Sequence, residues 1–473
     1  MVELHMEPGR PRIVGTDGAD TIYGMNNPDE LIEGGEGDDV LHGWFSVWLE
    51  TYGTNYEYNP DSVDRNDTII GGGGNDYIRV GGNHYLVDPR QYSSQDMAMG
   101  GFGDDTIRGW WGDDRLYGDS GNDWISSDIG IDWVYGGLGN DTLILGESGY
   151  AMGGGNDDLL YIARGFGSGG SGNDIITVGA QVATGTHRTA SANGGSGNDT
   201  LTGTEAGERL SGGTGDDLIR LDYNIHLSNG RIYLDVAHGD GGNDTIHGGW
   251  GREYIYGDTG NDLIFADSTQ FSGTAPDTSE MRDHIEGGGG DDTIWGGVGR
   301  DTISGGDGRD DLSANNDSTV NGDAGNDLIR VGSDSVARGG TGSDTIIALG
   351  DDSYLAGNDG DDMLIDDSAG AVTMSGHRGS DELIFRGGNG IGEGGAGADI
   401  FSMAFAGWET RAVITDFTVG EDVIRLKAGF EADDFFYLAV QQGDDVVVNM
   451  SSRGTLVLEG VLLSDLTADS LIW

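Results

Sequence analysis

Five aspartates, Asp105, Asp114, Asp123, Asp132 and Asp141, stand nine residues apart, and an apolar residue follows each by two positions: Ile107, Leu116, Ile125, Val134 and Leu143. Residues Gly136 to Ile144, Gly-Gly-Leu-Gly-Asn-Asp-Thr-Leu-Ile, show the full unit, G-G-x-G-x-D-x-U-x, with U a large apolar residue. The glycines open a turn at φ values other residues resist. The aspartate closes it, and U points inward from a very short strand. One such unit cannot bury its apolar side chain alone, so units must stack into a solenoid. Copies, some degenerate, recur from about residue 14 to about residue 402.

At 473 residues the length alone suggests about three globular domains, but a stack of short repeats is one quasi-linear object. The 91 glycines are too many for helices. Acidic residues number 82 against 24 basic, a formal net charge of −58. Nucleic acid, which requires the opposite sign, is not an expected partner. An acidic disordered tail is the bland alternative, but here each Asp keeps step with a glycine turn and an apolar residue. There is no cysteine, so a cation is the natural brace. Met1 to Arg12 carries no apolar signal-peptide core, and no apolar run is long enough for a transmembrane segment.

With one turn and one strand per unit, alternate turns fall on two edges, A and B. Edge A keeps the motif nearly throughout, with sixth-position acids Asp20, Asp39, Asp76, Asp105, Asp123, Asp141, Asp157, Asp174, Asp199, Asp217, Asp244, Asp262, Asp292, Asp310, Asp327, Asp344, Asp362, Asp381 and Asp399. Edge B keeps it at Asp114, Asp132 and Asp301, substitutes Glu208 and Glu253, and is otherwise rewritten. The long interruptions, Gly43–Asn66, Gly81–Met99, Gly179–Asn193, Leu221–His238 and Ala266–Arg282, all fall on edge B. Insertions gathered on one face of a solenoid often mark its binding face. Several are rich in Trp, Tyr and His.

The repeat resembles the RTX (repeats-in-toxin) calcium-binding β-roll, and the resemblance covers nearly the whole chain. It implies an all-β fold: a parallel β-roll, a right-handed solenoid of two-turn rungs, over residues 13–402. A C-terminal antiparallel β cap carrying a secretion signal would follow over residues 403–473. In that reading Ala412–Leu426 and Phe435–Val461, β-branched and poor in glycine, form antiparallel strands and hairpins. The resemblance also implies type I secretion, with the secretion apparatus as a partner and an extracellular destination. Calcium ions, in several copies, are the expected cofactor. A hard cation needs six to eight oxygens, which stacked turns can offer as aspartate carboxylates and glycine-freed carbonyls. Without it, carboxylates ~5 Å apart repel by roughly 1–3 kcal/mol per pair, so folding should be linked to calcium.

Activity is less legible. RTX proteases carry H-E-x-x-H ahead of the roll and RTX lipases a G-x-S-x-G elbow; neither motif occurs in this sequence. Chemistry, if present, belongs on the roll. Positions seven and nine of the unit point outward, and on the sheet following edge B they include Arg115, Tyr117, Trp133, Tyr135, Arg209, Tyr254, Tyr256, His284 and Glu286. Aromatic faces stack on sugars, and arginines pair with carboxylate or sulfate. Arg115, Tyr117, Arg209, Tyr254 and His284 are candidates for β-elimination from a uronic acid, with His84, Asp88 and Arg90 in reserve. Asp222 with Asp235 is the candidate hydrolase pair. Three readings stay open: a secreted calcium-dependent protein that binds, or also cleaves, an extracellular polysaccharide; a non-catalytic adhesin, surface or matrix protein; and, disfavoured by the lack of a long apolar membrane-active region, a toxin-like secreted effector.

Overall fold

The computed structural model describes residues 2–5, 12–24, 30–43, 66–80, 95–179, 190–204, 207–221, 234–267, 281–404, 410–426, 430–450 and 454–472. The chain divides into two units, Met1–Asn224 and Ile225–Trp473. Each is built from parallel rungs of two short strands. The five long interruptions lie largely outside the described residues.

One rung of the first unit illustrates the rest. The A turn closed by Asp141 opens the strand Thr142–Leu145; a B turn then brings the chain into Ser148–Gly155, which runs into the next A turn. Thr142–Leu145 pairs in parallel with the rungs on both sides, Leu143 lying level with Ile125 and with Leu160. Ser148–Gly155 does the same with Ile131–Leu138 and Gly165–Ser171. Two parallel sheets result: the A sheet, entered from A turns, and the B sheet, entered from B turns.

The eighth position points inward as expected. Ile107, Leu116, Ile125, Val134 and Leu143 are fully buried between the two sheets, while the residues beside each of them face out. Each such side chain contributes about 1.5–3 kcal/mol on burial, realised only when a neighbouring rung covers it. Ahead of residue 13, Val2–His5 already pairs in parallel with Asp20–Tyr23.

The second unit repeats the plan. Leu234–Gly241, Arg252–Thr259, His284–Gly289 and Thr302–Asp307 follow one another in its B sheet, and Thr245–Gly249, Leu263–Asp267 and Thr293–Trp295 in its A sheet. The parallel rungs continue beyond residue 402. Arg411–Ile414 pairs in parallel with Asn389–Gly392, and Val423–Leu426 with Ile400–Met403. Ile424 and Arg425 then pair in parallel with Leu471 and Ile472. The hairpins expected over Ala412–Leu426 are therefore further rungs, because β-branched alternation marks a strand but not its direction. Among the described residues, antiparallel pairing is confined to Ala439–Gln442, Asp445–Asn449 and Thr455–Leu458. A short helix not foreseen from sequence, Ala432–Leu438, precedes them and buries Phe435.

Candidate metal centre and sheet faces

Along edge A of each unit, successive sixth-position aspartates form a column. Each uses Oδ1 to accept the backbone N–H of the aspartate one rung earlier: Asp123 donates to Asp141 at 2.8 Å, Asp141 to Asp158 at 2.8 Å and Asp158 to Asp174 at 2.7 Å in the first unit. In the second, Asp262 donates to Asp292 at 2.8 Å and Asp310 to Asp327 at 2.9 Å. The column member in the rung after Asp141 is Asp158, not Asp157. Asn156, at φ 79°, takes the place of the fourth-position glycine, the third of the motif. Asp157 is therefore exposed in the fifth position, accepting the Asn173 N–H at 2.8 Å. The column also runs past Asp399, which donates its N–H to Asp422 at 3.0 Å.

The second oxygen decides what the column can do. Oδ2 of Asp39, Asp76, Asp105, Asp123, Asp141, Asp158, Asp174 and Asp199 is buried with no hydrogen-bond partner, as is that of Asp262, Asp292, Asp310, Asp327, Asp344, Asp362, Asp381 and Asp399. A buried charged oxygen with no partner is strongly unfavourable. Burial first, then neighbouring carboxylates, pushes Asp105, Asp141 and Asp292 up to about 7 and Asp158 up to about 8, against the pull of the backbone hydrogen bond. The space beside each Oδ2 is reserved by glycine: a Cβ on Gly136 would fall 2.2 Å from Asp141 Oδ2 and 2.6 Å from the Gly153 carbonyl. This donor set, carboxylate oxygens aimed into a cradle of glycine backbone, fits calcium, a hard cation served by all-oxygen coordination. The aspartate Oδ2 atoms and turn carbonyls would hold the ions, which would neutralise the stacked charge.

The outermost described turns differ. Asp20 Oδ2 accepts from the backbone N–H of Thr16 at 2.6 Å and from its hydroxyl at 2.8 Å. At the far end of the second unit, Asp422 Oδ2 accepts the Thr418 N–H at 2.7 Å. A threonine donor thus occupies the oxygen that interior aspartates aim into the cradle.

Edge B carries more carboxylates than the motif revealed. In the first unit Asp67 donates its N–H to Asp96 at 2.7 Å, Asp96 to Asp114 at 3.1 Å and Asp114 to Asp132 at 3.0 Å. In the second, Glu253 donates to Asp283 at 2.9 Å and Asp283 to Asp301 at 3.2 Å. Asp67, Asp96 and Asp283 do not show the motif, because each lies at the end of a long interruption that has replaced its glycines. The surviving signal was an acid two residues before an inward apolar position (Ile69, Ala98, Ile285). Asp235, the candidate hydrolase residue, obeys the same rule. It is buried level with Glu253; Asp222 lies outside the described residues. Glu253 and Asp283 are buried with an orphaned oxygen each, and both are held above the ordinary carboxylate range, by desolvation first. After Asp301 the column passes to serine: Asp301 donates to Ser318 Oγ and Ser318 to Ser335 Oγ, each at 3.2 Å.

Within the first unit the outward residues proposed for chemistry do not converge on one place. Arg115 and Tyr117 share a strand of the first unit, where Tyr117 stacks on Tyr135 with ring centroids 4.9 Å apart and Trp133 lies 4.4 Å from Tyr150. Trp133 and Tyr150 are exposed. Arg209 is five strands further along the same sheet, about 24 Å away at ~4.8 Å per strand. Tyr254, Tyr256, His284 and Glu286 belong to the second unit. There Tyr254 lies 5.4 Å from the His284 ring, and His284 Nε2 meets Glu286 Oε1 at 2.8 Å. His84, Asp88 and Arg90 lie outside the described residues. The A sheet bears aromatic groups that sequence reasoning passed over: Arg108 sits over Trp124 at 5.1 Å, and Phe265 stacks on Trp295 at 4.7 Å. Among the described residues no helix is long and apolar enough to cross a membrane.

Parallel rungs with columns of buried, half-satisfied carboxylates define a cation-binding repeat protein of the β-roll class. The model of the RTX calcium-binding nonapeptide repeat, four copies long, matches residues 12–27, 29–45, 63–84, 93–125, 117–148, 168–181, 191–219, 230–264, 277–312 and 338–365, more than half of the chain. The chain belongs to this family of RTX calcium-binding repeat proteins. Among solved structures it is similar to extracellular lipase LipA from Serratia marcescens, at 21% identity over 55% of this chain and 45% of that one, with a TM-score of 0.13. The chain thus spans less than half of that lipase. No curated protein matches.

Proposed function

We propose that the protein folds around calcium outside the cell and uses the outer face of its B sheet to hold a polysaccharide. The observation that carries this reading is an aromatic patch in which exposed Trp133 and Tyr150 stand beside half-buried Tyr117 and Tyr135, bordered by Arg115. Trp133 and Tyr150 present large apolar faces on rigid, paired strands where sugar rings can stack. Arg115 adds a donor fork for a carboxylate or sulfate substituent. Export by the type I route accords with the family and with the calcium difference between cytosol and exterior.

Binding is favoured over cleavage, because Arg209, the other candidate arginine of the first unit, stands five strands from Arg115 and Tyr117, about 24 Å at ~4.8 Å per strand. Calcium-loaded protein should be retarded by acidic polysaccharide in affinity electrophoresis. Trp133→Ala and Tyr150→Ala should weaken retention roughly tenfold, a loss of ~1–2 kcal/mol. Unsaturated sugar products that disappear on chelation and in Tyr117→Phe would replace this reading with a lyase. Retention by no member of a broad panel would favour an adhesin or matrix role.

A further inference from the structure

In the second unit, His238 and Asp240 lie on the strand Leu234–Gly241, and Asp258 on its parallel neighbour Arg252–Thr259. His238 Nδ1 is 3.0 Å from Asp258 Oδ2, and one ligand atom from each of the three residues lies within 4.8 Å of the other two. We propose that these three side chains form a metal site separate from the calcium columns, suited to a borderline divalent transition ion such as Zn2+.

The chemistry of the donors selects the ion. Calcium takes six to eight oxygens and has little use for imidazole, whereas one imidazole nitrogen with two carboxylate oxygens suits zinc and its neighbours. Three protein ligands leave a fourth position to water, the arrangement of open zinc sites. Ligand atoms around a tetrahedral ion with ~2.1 Å bonds stand about 3.4 Å apart, so small side-chain rotations bring this trio into place. The imidazole is already oriented: Tyr256 stacks on it with centroids 4.5 Å apart and planes 8° from parallel. Nδ1 faces Asp258, so an ion bound there takes the place of the proton between them.

Asp240 and Asp258 both sit at φ 70°, in the second position of A turns that Asp119 and Asp323 also occupy, at φ 72° and 73°. Both keep their carboxylates on the outer surface beside His238, whereas Asp244 and Asp262 of the same two turns are buried in the calcium column.

The test uses the full chain in saturating calcium. Calorimetric titration with Zn2+ should reveal a site, and Cu2+ placed in it should show coupling to one nitrogen by electron paramagnetic resonance. His238→Ala should remove that coupling and weaken Zn2+ at least about tenfold; Asp258→Asn should weaken it similarly. Neither should move the calcium midpoint for folding, read by circular dichroism. The proposal is overturned if calcium abolishes Zn2+ binding, if His238→Ala binds Zn2+ like the parent, or if either variant shifts the calcium midpoint.

Discussion

Edges A and B of the second unit place polar side chains at equivalent points of their turns and satisfy them differently. On edge A, aspartate gives one oxygen to the preceding rung and leaves the other buried and orphaned, as in Asp310 and Asp327. On edge B beyond Asp301, serine fills the position. Ser335 Oγ accepts the Ser318 N–H at 3.2 Å and donates to the Asn315 carbonyl at 3.1 Å; Ser353 Oγ donates to the Gly332 carbonyl at 2.8 Å. The hydroxyl proton does locally what a cation must do beside a carboxylate. A stretch with serine can close without metal; a stretch with aspartate cannot do so at neutral pH.

Calcium removal should have the largest effect. At neutral pH in chelator, the far-ultraviolet circular dichroism of the sheets should be lost and should return with calcium; an unchanged spectrum would refute the column as an ion site. The pH dependence sharpens the point. Asp76, Asp105, Asp141 and Asp381 are raised to about 7, and Asp158 to about 8, chiefly by desolvation. Their calcium-free folded state therefore holds protons that the unfolded state has released. That stability is full below the ordinary carboxylate value near 3.8, declines above it and is gone once pH has risen through about 7 to 8. Calcium-free protein should gain sheet signal between pH 8 and pH 5, while calcium-loaded protein stays nearly flat there.

Single substitutions should follow in order. Glu253→Gln or Asp283→Asn should stabilise the calcium-free protein by removing a buried charge, and should weaken the calcium-loaded protein, if edge B holds an ion at that point. Opposite signs with and without calcium are the readout; equal signs would make this cluster a proton-sharing pair only. Ser335→Ala should cost just ~0.5–1.5 kcal/mol, independently of calcium, measured by urea unfolding with and without the ion.

The nine-residue phase by itself determined the rung, the inward apolar row and the A column. Each follows from local chemistry: glycine for the turn, an acid to close it, an apolar side chain two residues on. Asp157 and Asp158 show where local reading slips. Two adjacent acids compete for one position, and only the pairing of neighbouring rungs settles which is buried. Asp67, Asp96 and Asp283 were hidden for a related reason. Their glycines are gone, and what makes them column members is the rung beneath, tens of residues away in sequence. Direction in Ala412–Leu426 was likewise a matter of partners, since alternation is common to parallel and antiparallel strands. The unit shows which residues point outward but not how far apart they stand: Arg209 is far from Arg115 because four strands intervene. His238, Asp240 and Asp258 meet for the converse reason. Residues 20 apart in the chain become neighbours because one rung is stacked directly on the next.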